Sequence, residues 1–113
     1  PAGPRASREC DLLRRYIDNH FKESLDLEQL AALVHVNKYY LAHAFKKEFG
    51  ISPISFLIAR RIQESRFLLA ETDHTLSQIA HILGFSSLSY FSQSFGKAEG
   101  ISPLEYRKRC RGG

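Results

Sequence analysis

Phe45-Lys46-Lys47-Glu48-Phe49-Gly50-Ile51-Ser52-Pro53 returns about fifty residues later as Phe95-Gly96-Lys97-Ala98-Glu99-Gly100-Ile101-Ser102-Pro103. Upstream, Gln29-Leu30-Ala31 returns as Gln78-Ile79-Ala80, with one extra residue in the turn of the second copy. A repeat of this period marks a duplicated supersecondary unit. Each copy reads as two short helices joined by a tight turn. The fold of the chain follows from that unit and from what connects its two copies.

In the first copy Asp26 has the chemistry of an N-cap. Gln29 stands at the capping-box position, and Leu25 and Leu30 form a hydrophobic staple. Leu27, Leu30, Ala31 and Val34 share one face of a short helix. His35-Val36 makes the turn, and Asn37 caps a second helix that runs to about Phe49. Gly50 supplies the left-handed residue that ends it. In the second copy Thr75 and Gln78 form another box, Gly84-Phe85 is the turn, and Ser87 caps a helix to about Glu99. Asp73-His74-Thr75 reads as the loop leading to that box.

Outside the repeat, Leu13, Tyr16, Ile17, His20 and Phe21 give an amphipathic helix over about residues 7–21. Ser52-Pro53 opens a long helix to about Glu71, with proline at the first helical position. Ile54, Leu57, Ile58, Ile62, Ser65, Leu68 and Leu69 lie on one side of it. Ser102-Pro103 opens a last helix to about Cys110. No segment alternates with the period of two that marks a strand. The expected fold is all-α, with about seven helices in two helix-turn-helix subdomains joined by a long linking helix. The divisions are a lead-in over 1–6, a first subdomain over 7–52, the link over 53–71, a second subdomain over 72–110 and a tail over 111–113.

A chain of 113 residues with 43% hydrophobic residues, eight phenylalanines and five tyrosines can bury a core of its own. No apolar run approaches the roughly 18 residues of a membrane span, and no segment has the pattern of a signal peptide. Cys10 and Cys110, near opposite ends, could be bridged if the termini lie close together, but without CxxC spacing they fit reduced, cytosolic thiols better. The net charge of +4 points to an anionic partner. Its cations gather at Arg14-Arg15, Lys46-Lys47, Arg60-Arg61 and Arg107-Lys108-Arg109-Arg111. Arg61 has two readings, an ion pair inside the domain or a phosphate contact.

The second helix of each copy carries the functional signal. Leu41, Phe45 and Phe49 turn inward in the first copy, and Phe91 and Phe95 in the second. A small residue, Ala31 or Ala80, lets the two helices of each unit pass closely. That geometry is a helix-turn-helix, whose second helix enters the DNA major groove. Short helical hairpins also build protein-docking modules, so topology alone leaves both readings open. A surface made for solubility is rich in Glu and Lys. Here the outer faces carry Tyr39, Ala42 and His43, then Leu88, Ser89, Ser92 and Gln93. Gln pairs with adenine, Ser serves donor or acceptor bases, and Tyr or Ala can touch a thymine methyl. Asn37, Lys38, Lys46, Lys47, Ser87 and Lys97 are the candidate DNA-backbone contacts. His20, His35, His43, His74 and His81 lack the paired spacing of a zinc site. No titratable pair is set in a catalytic frame, so neither metal, cofactor nor enzymatic activity is expected.

At these residues the sequence resembles the AraC/XylS family of bacterial transcription regulators, over about Leu12 to Arg107. The resemblance is carried by Ile79-Ala80, Gly84-Phe85-Ser86-Ser87, Ser89-Tyr90-Phe91, Phe95 and Gly100-Ile101-Ser102-Pro103-Leu104-Glu105-Tyr106-Arg107. In the first copy it rests on Leu30-Ala31, Tyr40-Leu41, Phe45-Lys46-Lys47, Gly50 and Ser52-Pro53, and in the link on Phe56 and Arg61. It implies a seven-helix domain that binds double-stranded promoter DNA in two successive major grooves. It also implies activation of transcription by contact with RNA polymerase, in the bacterial cytosol at the nucleoid. Most members carry a further effector-sensing or dimerisation domain, which would lie outside this chain. The chain is then a fragment of a larger regulator or a small stand-alone member, and the Pro/Gly lead-in, which reads as the tail of an interdomain linker, favours the fragment. An arginine common in the family's reading helices is His43 in one copy and Gln93 in the other, which weakens the expectation of guanine readout there. A lysine common after the second phenylalanine is Gly96.

Overall fold

The computed structural model describes residues 4–112 of the chain. It is all-α, with seven helices among the described residues. They are α1 (Pro4–His20), α2 (Leu27–Leu33), α3 (Lys38–Phe49), α4 (Pro53–Glu71), α5 (Leu76–Ile82), α6 (Leu88–Glu99) and α7 (Pro103–Cys110). The chain forms two compact units. One holds the segment up to Phe21 and Leu25–Leu57; the other holds Lys22–Ser24 and everything from Ile58 onward. The helix expected as a separate link is therefore shared. Its first residues pack in the first unit and the remainder in the second.

The first unit is built around one phenylalanine. Phe45 is fully buried and stacks at a tilt on Phe49 (4.7 Å between centroids) and edge-on to Phe56 (5.8 Å). Leu13 and Ile17 of α1, Leu30 and Ala31 of α2, and Leu41 of α3 close the core. Removing such a side chain costs about 3–5 kcal/mol, so this ring is a principal source of the unit's stability. Local chemistry fixes the helix ends. The Asp26 carboxylate accepts from Gln29 N–H while the Gln29 side chain accepts from Asp26 N–H, both at 2.8 Å. Asn37 Oδ1 accepts from the N–H groups of Tyr39 and Tyr40. Gly50 adopts φ 82°, the left-handed stop expected of it.

The second unit repeats the plan. Phe91 and Phe95 are fully buried, 6.0 Å apart, with Phe85 5.3 Å from Phe91 and Tyr106 edge-on to Phe95 at 5.4 Å. Thr75 and Gln78 close a reciprocal capping box, and Ser87 and Ser102 cap α6 and α7. Ser65, at 0% exposure on α4, satisfies its hydroxyl by donating to the Ile62 carbonyl.

Three features depart from expectation. The first helix begins at Pro4, so residues 4–6 of the expected lead-in form its opening turn; Pro1–Gly3 lie outside the described residues. Proline suits that place because the first turn has no use for its missing N–H. Arg111, expected in a tail, closes α7 and donates to Asp73 at 2.8 Å and to the Thr72 carbonyl. With Arg107, which donates to the carbonyls of Leu69 (3.0 Å) and Thr72 (3.1 Å), it caps the C-terminal end of α4. Two guanidinium groups at the negative end of a helix dipole are favourably placed. That use withdraws part of the C-terminal basic run from any external partner.

Candidate nucleic-acid interface

In each unit the second helix has one face sealed by phenylalanine and one face open. On α3 Tyr39 is 72% exposed, His43, Lys46 and Lys47 are exposed, and Ala42 is half-buried beside them. On α6 Ser89, Gln93 and Lys97 are exposed, Leu88 is 39% exposed and Ser92 half-buried. The base-reading candidates of each helix therefore share one open face of their own unit. Tyr90 lies between: it stands perpendicular to Phe85 at 5.5 Å yet keeps 39% exposure. It belongs half to the core, as its counterpart Tyr40 does at 48%.

The capping residues retain donors that the caps do not use. Asn37 engages its side-chain oxygen, leaving the amide NH2; Ser87 accepts from Tyr90 N–H at 3.0 Å, leaving its hydroxyl proton. Such groups at helix starts can donate to phosphate oxygens. Lys38 differs from the other backbone candidates. Its ammonium donates to Glu28 Oε1 at 2.8 Å. That hydrogen bond, and then the Glu28 charge, hold its pKa above the ordinary lysine value.

Arg61 is anchored inside the second unit. Only 5% exposed, it donates from Nη2 to the Glu23 carbonyl at 2.7 Å and lies 5.4 Å from the Phe85 ring centroid. Burial lowers its pKa, as desolvation disfavours the charged form. Arg66 reaches Glu99 at 3.0 Å, and Arg109 reaches Glu105 at 3.3 Å. Most arginines of the second unit thus serve its own architecture. Little in the sequence signals this, because backbone carbonyl partners some forty positions away leave no local pattern.

Among the described residues no group of three or more His, Cys, Asp or Glu side chains could hold a metal, and no helix is long and apolar enough to cross a membrane. Cys10 is buried and Cys110 exposed, both free thiols; burial, then Glu48 and Glu9, raise the pKa of Cys10.

A family model described as a helix-turn-helix domain matches residues 30–109. The chain belongs to the AraC/XylS family. It carries that family's DNA-binding domain. Among its relatives, the regulatory protein PocR of Salmonella typhimurium is 37% identical over 95 residues, covering 84% of this chain and 31% of that protein. An uncharacterised HTH-type transcriptional regulator of Escherichia coli, YdiP, is 33% identical over 96 residues, covering 85% and 32%. The chain spans about a third of the length of these curated relatives. Of solved structures, the C-terminal domain of AraT, a response regulator from Geobacillus stearothermophilus, superimposes with TM-score 0.83 at 37% identity, covering 96% of this chain and 87% of that one. The DNA-binding domain of AdpA, a global transcriptional factor solved in complex with a target DNA, superimposes with TM-score 0.86 at 26% identity, covering 91% and 93%.

Proposed function

We propose that the chain binds double-stranded promoter DNA sequence-specifically, with α3 and α6 entering two successive major grooves. In this reading Tyr39, Ala42 and His43, then Leu88, Ser89, Ser92 and Gln93, meet base edges. Asn37, Lys46, Lys47, Ser87 and Lys97 meet the phosphates. The observation that carries the reading is the duplicated open face: short polar and planar groups over a phenylalanine-sealed helix, at the same register in both units.

Relatives named as HTH-type transcriptional regulators support a wider role in transcription. As the DNA-binding part of such a regulator, the chain would act in the bacterial cytoplasm and activate transcription through contact with RNA polymerase. It uses no metal or cofactor and performs no reaction.

Fluorescence anisotropy against duplex DNA across a salt series tests the binding reading. Several phosphate contacts predict a log–log slope of roughly −4 to −8, at about −0.9 per contact. A flat response, or equal affinity for every sequence at physiological salt, would overturn it.

A further inference from the structure

One lysine on α3 is tied down on two sides. Lys38 Nζ bonds Glu28 at 2.8 Å, bridging α2 to α3 across the turn, and lies 5.3 Å from the centroid of the Tyr39 ring. The Lys38 side chain is 35% exposed although Glu28 is 74% exposed, so the lysine lies against the protein while its partner faces water. Tyr39 has the largest exposure of the large hydrophobic side chains, 72%. An aromatic ring so open lacks the packing that would fix its rotamer, and a cation over its face supplies a partner. The second unit has no such device, because Ser77 and Leu88 occupy the places of Glu28 and Lys38.

We propose that Lys38 is a positioning residue and not a phosphate contact: Glu28 anchors its ammonium, the ammonium holds the Tyr39 ring, and Tyr39 presents a fixed edge to one base pair. This rests on α3 being a base-reading helix. An exposed ion pair contributes little to stability. Its use lies in orientation, where a small bias toward one ring pose becomes selectivity at one position.

The test uses the full chain, a duplex carrying the site it selects from random DNA, every single-base variant of that duplex, and a non-specific duplex of equal length. Tyr39→Ala identifies the base pair that Tyr39 reads. Lys38→Met and Glu28→Gln are each expected to reduce discrimination at that same base pair by about two- to fivefold, the scale of an exposed cation–π contact. Both should leave the salt slope unchanged, and Lys38→Arg should restore discrimination. The proposal is overturned if Lys38→Met weakens all duplexes equally and lowers the slope by about 0.9, the signature of a lost phosphate contact. It is also overturned if Glu28→Gln tightens all duplexes, which would make Glu28 a competitor of phosphate. Loss of discrimination nowhere on Tyr39→Ala would instead remove the base-reading role of the ring itself.

Discussion

The two helix-turn-helix units share a scaffold and differ in their turns and in their charge. Both begin with a reciprocal capping box, both set the second helix on a buried phenylalanine, and both end it at a glycine near φ 80°. The turns diverge. In the first unit the positive-φ position is His35, at φ 58° and exposed to solvent. In the second it is Gly84, at φ 85°, where a Cβ would lie 2.5 Å from the Lys22 carbonyl oxygen and 3.0 Å from Arg61 Nη2. One turn carries a side chain and the other excludes it, because the second is packed against the Lys22 backbone and Arg61 of its own unit. The faces diverge too. Lys38 and Lys46 of the first copy become Leu88 and Gly96 in the second, while Lys47 is retained as Lys97. Positions that hold the helix keep their chemistry; positions open to the outside are free to change.

The largest effect should come from the turn. Gly84→Ala forces an L-residue into a left-handed conformation and its methyl into a carbonyl, costing about 2–4 kcal/mol together. Urea unfolding would show it as a fall in midpoint, and a loss below about 1 kcal/mol would contradict the packing described. Next is the open face of α6. Gln93→Ala should lose about 1–3 kcal/mol of preference at one base position, measured by affinity against single-base variants, with other positions unaffected.

A gain should follow from making the second unit more like the first. The Cβ position at Gly96 has no neighbour within 4 Å, so Gly96→Lys enters without a clash. It should stabilise α6 by about 0.5–1 kcal/mol and steepen the salt slope by about 0.9. An unchanged slope would mean that this part of α6 does not approach phosphate. The smallest effect is His35→Gly, which relieves the positive φ but adds backbone entropy to the unfolded chain. A net gain of about 0.5 kcal/mol in thermal or urea unfolding is expected, opposite in sign to the change at Gly84.

What could be read from the sequence was what is local. Asp26 with Gln29, Thr75 with Gln78, Asn37, Ser87 and the glycine stops are decided within four residues, and they set four helix starts and two helix ends. Phe45, Phe91 and Phe95 followed from helical spacing. Long-range partners were not legible. Arg61, Arg107 and Arg111 bond backbone carbonyls that any residue could supply, and Lys38 meets Glu28 ten positions away across a turn. Charge runs therefore pointed outward where several of the charges are spent inside. The open faces of α3 and α6 were visible because apolar spacing locates the buried side, and the exposed side follows by subtraction.

Selection of binding sites from random duplex DNA by the purified chain tests the central claim directly. Two preferred base blocks of unlike sequence are predicted, with centres about 10–10.5 base pairs apart and no two-fold symmetry. A single block, a palindrome, or recovery of unselected sequence would contradict two dissimilar reading helices acting on one duplex.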